Sequence, residues 1–153
     1  MNFLEVQIAT ECANIPGEQQ FQYWVDTVLS DATRDSEIVI RLVDFAESAE
    51  LNQQFRNKTG PTNILSFPFE PPAEVESDLL GDLVICAPLI AEEALQQHKP
   101  IDHHWAHITV HGILHLLGYD HIAEQDAEEM EAVEVRILTV LHIPDPYQEA
   151  STP

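Results

Sequence analysis

Three histidines in the eleven residues HGILHLLGYDH, from His111 to His121, have the spacing of a metal site. His111 and His115 are four residues apart, so on a helix their rings share one face. Gly118 follows and can end that helix in a left-handed turn, which lets His121 fold back towards the first two. Neutral imidazoles bind zinc at roughly 2.0–2.1 Å, and three protein ligands with a fourth position left to water is the catalytic pattern. Such a zinc lowers the pKa of its water to about 7 and polarises carbonyl or phosphoryl oxygens, so hydrolysis is the default reaction. Asp120, beside His121, is the nearest candidate for a further ligand or for a hydrogen bond that orients one. The alternative is an amphipathic helix that is merely rich in histidine. It leaves the glycine, the third histidine and the helical pair as separate accidents.

The pattern matches the histidines and the glycine of the metzincin protease motif HExxHxxGxxH and departs from it at one position. Gly112 stands where those proteases carry the glutamate that acts as general base. A peptidase would need another carboxylate near the water, and the acidic loop from Glu74 to Asp78 is the obvious reservoir. His104 and His107 lie on the side of the same helix that carries His111 and His115. They either orient the ligands, touch substrate, or form a polar face with no chemical role.

A second constellation lies in LNQQFRNKTGPTNILSFPFE, from Leu51 to Glu70. It holds Arg56 and Lys58, two of only six basic residues. A guanidinium fork suits phosphate oxygens and can stabilise charge in a phosphoryl transition state. The competing role is a cation that complements a helix C-terminus, worth about 0.3–1 kcal/mol. The residue types alone leave the two balanced.

The elements that must position these groups follow from periodicity and breakers. Strands are expected at Phe3–Thr10, Ser36–Val43, Thr62–Phe69 and Leu80–Cys86. Pro68 cannot donate to a ladder, so the third strand is expected at an edge, or to end there. Helices are expected from Gly17 to about Ala32, Phe45 to about Lys58, Pro88 to about His98 and His103 to Leu117. Ala127, Met130, Val133, Ile137, Leu138 and Leu141 mark a last helix that stops before Pro144. In the second helix Ala46, Ala49, Leu51 and Phe55 are expected mostly inward. About four strands in a mixed sheet with about five helices make one α+β domain over residues 1–153, with a zincin-like three-histidine metal site. The last eight or so residues are expected to form a flexible tail.

Composition narrows the function classes. The chain carries 27 acidic and 6 basic residues, a net charge of −21. That opposes non-specific adhesion to nucleic acid or anionic membrane, so any nucleic-acid substrate needs a local positive focus or a partner that delivers it. No apolar run approaches the roughly 20 residues of a membrane span, and the N-terminus has no signal-peptide pattern. Two cysteines, Cys12 and Cys86, form no CxxC pair and are expected as reduced thiols in a cytoplasmic protein.

HGILHLLGYDH preceded by HITV, together with RNKTGPTNILSFPFE, GDLVIC and DAEEMEAVEVRIL, resembles the YbeY family. Its members are bacterial rRNA maturation factors, regarded as metal-dependent, single-strand-specific endoribonucleases. The matching segments run from about Leu51 to Leu141. The resemblance implies one zinc held by His111, His115 and His121, with Arg56 and His115 catalytic and Arg56 on phosphate. It implies single-stranded rRNA as substrate, 3′-end maturation of the small-subunit rRNA, and ribosome quality control. Small-subunit and assembly proteins are then the expected partners, with neither DNA nor membrane among them. Metallopeptidase chemistry and a ribosome-assembly protein with a structural zinc stand as the alternatives.

Overall fold

The computed structural model describes residues 1–30, 35–72, 77–119 and 123–147. Four strands, β1 (Asn2–Ala9), β2 (Ser36–Val43), β3 (Ile64–Pro68) and β4 (Leu79–Cys86), form one sheet in the order β1-β2-β4-β3. β1 and β2 are parallel, as are β2 and β4, whereas β3 runs antiparallel to β4. The sheet is therefore mixed, and β3 with Pro68 is an edge, where the missing N–H costs no ladder bond. Five helices complete the α+β domain: α1 (Glu18–Val28), α2 (Phe45–Arg56), α3 (Ala87–Gln96), α4 (Ile101–Leu116) and α5 (Glu124–Val140).

Alternation along the strands assigns the two faces. Ile38, Ile40 and Leu42 of β2 and Leu83 and Ile85 of β4 join the main core with α1, α4 and α5. Phe21, Trp24 and Val25 of α1 are buried there, with Phe21 edge-on to both Trp24 and Trp105. Val43, Val84 and Cys86 point to the other face, where Leu65 and the half-buried Leu51, Phe67 and Leu89 cover them.

α4 runs through the middle of the main core. Ten of its sixteen residues are buried, as expected of a helix packed on nearly every side. His107, His111 and His115 are only half-buried and recur every fourth residue, so they form a stripe of this helix that meets the cleft, with Ile108 beside it. Gly112 lets α4 lie close on the sheet. A Cβ there would stand 2.4 Å from Ile64 Cδ1 and 2.9 Å from Leu83 Cδ2. Gly81, at φ +153°, permits a second close approach, because a Cβ would meet the Phe67 carbonyl at 2.4 Å and Leu116 Cδ2 at 2.7 Å.

α2 departs from the inward face expected of it. Its buried residues are Ser48 and Asn52, while Ala46 and Phe55 are exposed. The polar pair faces the following loop instead of apolar core. Ser48 Oγ donates to the Thr62 carbonyl at 2.9 Å and accepts from Thr62 N–H at 3.0 Å, and Asn52 Nδ2 donates to the Gly60 carbonyl at 2.8 Å. These bonds satisfy backbone groups that are partly buried, and they hold the segment between α2 and β3. That segment takes up Thr62 and Asn63, so β3 starts at Ile64. Asn57 closes α2 in a left-handed conformation (φ 55°, ψ 36°), which asparagine tolerates better than most residues.

Candidate metal centre and nucleic-acid cleft

α4 ends in a turn that orients His115. Gly118 takes φ +101°, its N–H donates to the His115 carbonyl at 3.0 Å, and Tyr119 N–H reaches the Leu114 carbonyl at 3.1 Å. This is the Schellman arrangement, with glycine at the position that requires a positive φ. The turn places the Tyr119 carbonyl 3.0 Å from His115 Nδ1. Four residues back, His111 Nδ1 bonds Glu134 Oε1 of α5.

Both acceptors lack protons to give. A carbonyl oxygen only accepts, and Glu134 is held ionised. Burial pushes its carboxyl up, but the neighbouring His107 and the bonds to His111 and Tyr147 outweigh this and bring the pKa down to about 2. Each Nδ1 therefore carries its proton, and in the neutral rings each Nε2 presents a lone pair. The two Nε2 atoms face each other at 3.0 Å. Lone pairs at that separation repel unless a cation shares them. Two nitrogens on one tetrahedral zinc stand roughly 3.3 Å apart, given ligand distances of 2.0–2.1 Å. The donor chemistry at His111 and His115 thus fits a zinc ion. His121 and Asp120, which the motif adds to this group, lie outside the described residues.

Glu134 was not legible as a site residue from the motif. It is fully buried on α5, between Met130 and Leu138 on the inward face. A lone acid in the middle of an apolar stripe was the available indication. Its second oxygen accepts from the Tyr147 hydroxyl, and His107 Nε2 stands 3.8 Å from the same oxygen. Burial and then the bond to Glu134 push the Tyr147 phenol up, so it stays protonated as a donor. Burial pulls His107 below its ordinary value, which favours the neutral ring. His107 Nε2 lies 3.4 Å from the Tyr147 oxygen, and the two rings meet edge-on at 5.6 Å. Tyr147, beyond the end of α5, is thus packed on the site. Residues 148–153 lie outside the described residues. His107, His111 and Glu134 place ligand atoms within 4.8 Å of one another, so among the described residues this group too could hold a metal ion.

His104 does not share the stripe. It is buried, with Nε2 2.8 Å from Glu93 Oε1 of α3, and Asn63 Nδ2 donates to the same carboxylate at 3.2 Å. Burial raises the Glu93 pKa, but the bonds from His104 and Asn63 reverse this and leave it lowered. His104 therefore ties α4 to α3 and to the segment before β3.

A cleft of about 800 Å³ runs beside the histidine stripe, between α4 and β3. Its walls include His107, His111 and His115 on one side and Phe55, Arg56, Asn63 and Phe67 on another. Arg56 occupies the last position of α2, and among the described residues no ion pair is formed to it. The fold thus brings Arg56 and the motif histidines to one cavity from segments about fifty residues apart. Lys58 is exposed beyond Asn57 and does not line the cleft. Asp78 is also absent from its walls, and Glu74 lies outside the described residues. Met130 is a buried core residue of α5.

TM1509 from Thermotoga maritima, known from its solution structure, shares the fold. The TM-score is 0.57 at 24% identity, over 94% of this chain and 99% of that one. The model of the family described as Endoribonuclease YbeY matches residues 5–142. That span contains every helix of the domain, with Arg56, His107, His111, His115 and Glu134. The chain belongs to the YbeY endoribonuclease family.

Proposed function

We propose that this protein is a zinc-dependent, single-strand-specific endoribonuclease that matures the 3′ end of small-subunit rRNA and serves ribosome quality control in the cytoplasm. The observation that carries this reading is the shared cleft, with Arg56 and the histidine stripe on its walls. Zinc is held by Nε2 of His111 and His115, with His121 as the third ligand. The Glu134 carboxylate, already bonded to His111 Nδ1 and the Tyr147 hydroxyl, orients His111 from behind. When bound, zinc supplies Lewis acidity towards a phosphoryl oxygen or water.

The chain's own groups do the rest. Arg56 clamps the scissile phosphate through its guanidinium fork and stabilises charge that develops there. His115 keeps its Nε2 aimed into the cleft because Tyr119 holds its Nδ1 proton. Lys58 and Asp120 contribute at the periphery, the first to the phosphate backbone and the second to the ligands. With a net charge of −21, the protein repels RNA everywhere else. Binding to free RNA is therefore weak, and small-subunit ribosomal or assembly proteins deliver the strand.

Arg56→Ala tests the phosphate role. Removing one preorganised donor to a developing oxyanion costs roughly 10²–10³ in kcat. A fall of that order in cleavage of a single-stranded oligoribonucleotide, with zinc content unchanged, is expected. Cleavage at the wild-type rate would remove Arg56 from the mechanism. Glu134→Gln tests the orienting role. The amide can present an N–H to His111 where the carboxylate accepted, and loss of such a partner typically weakens metal affinity 10–100-fold. Competition with a zinc chelator reads that shift, and an unchanged affinity would show that Glu134 is not coupled to the metal.

A further inference from the structure

Phe55 is 57% exposed, and of the large apolar side chains exposed on this chain of net charge −21 it is one that lines the cleft. It immediately precedes Arg56 in the last turn of α2, and both line the cleft. The inward positions of α2 are Ser48 and Asn52, and their bonds to the loop at Gly60 and Thr62 fix the helix so that Phe55 is left outside the core. The ring is nonetheless held. It meets Phe67 of β3 at 5.1 Å between centroids and 73° between planes. Phe67 is itself half-buried against the cluster of Val43, Leu65, Val84 and Cys86. An edge-to-face contact occupies at most one face of the pair, so an aromatic face is left for a flat partner. An exposed ring costs hydration without giving stability, and here it lines the same cleft as Arg56 and the histidine stripe.

We propose that Phe55, buttressed by Phe67, is the stacking platform for one unpaired base of the RNA, next to the phosphate that Arg56 holds. This rests on the ribonuclease reading above and deepens it by giving strand selectivity a physical cause. A base in a duplex already has both faces covered by its neighbours. A base in a single strand can leave the stack and lie on an aromatic ring, whatever its identity. The platform therefore selects for unpaired strand and is indifferent to sequence at that position. It also supplies affinity that does not depend on charge, which an acidic protein otherwise lacks.

The test uses the zinc-loaded full chain and the variants Phe55→Ala, Phe55→Leu and Phe55→Trp. Each is assayed on a single-stranded oligoribonucleotide and on a set carrying one abasic residue at successive positions around the cut. Loss of one base–aromatic stack lowers kcat/KM about tenfold. Wild type is expected to lose that factor when the abasic residue occupies one particular position. Phe55→Ala and Phe55→Leu should lose it on the intact strand and no longer distinguish the abasic one. Phe55→Trp should restore both the rate and the distinction. Leu keeps an apolar side chain without a π face, so Phe55→Leu acting as wild type would overturn the proposal. So would an undiminished penalty for the abasic residue in Phe55→Ala. If wild type cuts no RNA at all, the ribonuclease reading fails by itself. Equilibrium binding of the intact and abasic strands, followed by anisotropy, then decides the platform with the same expected and contrary outcomes.

Discussion

His115→Ala is expected to remove zinc and RNA cleavage together while the fold survives. The ring is half-exposed at the end of α4, so its loss opens little cavity. The Tyr119 carbonyl loses its 3.0 Å partner, a change of about 1 kcal/mol for one ordinary hydrogen bond. The metal loses a direct ligand, a larger change than the 10–100-fold shift in affinity expected when only an orienting partner is altered. Zinc content measured after dialysis and single-turnover cleavage should both fall to background. This variant also separates the two donor groups that share His111. His115 takes no part in the cluster of His107, His111 and Glu134. A full equivalent of zinc retained by His115→Ala would move the ion to that cluster and make Glu134 a ligand.

Gly112→Glu restores the residue that metzincin proteases carry after the first histidine, and it is expected to destabilise the fold, not to create a peptidase. Position 112 is buried against the sheet, with Ile64 and Leu83 where the new side chain would begin. A bare Cβ meets only the ends of two flexible side chains, which can turn aside. The gain of about 1 kcal/mol for replacing a helical glycine by alanine offsets part of that cost. Gly112→Ala should therefore be close to neutral. The glutamate must further bury an unpaired carboxylate among apolar side chains. Uncompensated buried charges cost roughly 3–5 kcal/mol, a large part of the stability of most domains. A fall in the denaturant midpoint of Gly112→Glu, with Gly112→Ala near wild type, is the expected pair of results. Gly112→Glu as stable as wild type would mean that α4 can move off the sheet. Glycine in the base position would then have no structural reason.

The sequence motif carried the histidine pair and the helix that holds it, because i,i+4 spacing and a terminal glycine are local properties. The edge position of the strand that ends at Pro68 was legible for the same reason, since a residue without N–H limits where a strand can lie. The partners that orient His111 and His107, unlike the Tyr119 carbonyl at His115, were not local. Glu134 stands 23 residues from His111 and reads as one more acid in an acidic helix unless its place on the apolar stripe is weighed. Tyr147 follows two prolines in a segment with no periodicity, and only packing against His107 and Glu134 reveals it. His104 looked like a member of the histidine row. One residue of helical rotation sends it to Glu93 in the core, away from the cleft. Phe55 was expected inside because it is apolar. Leu51 does pack on the apolar cluster, but the most buried positions of α2 are polar, fixed by hydrogen bonds to a loop whose position no local pattern encodes.

The most direct test of a phosphate-directed metal centre is a side-by-side assay of the zinc-loaded protein on single-stranded RNA, the same RNA in a duplex, and an unstructured peptide. Cleavage of the single strand, abolished by a zinc chelator and recovered on adding zinc back, with duplex and peptide intact, is the predicted result. Cleavage of the peptide with the RNA left whole would contradict the account.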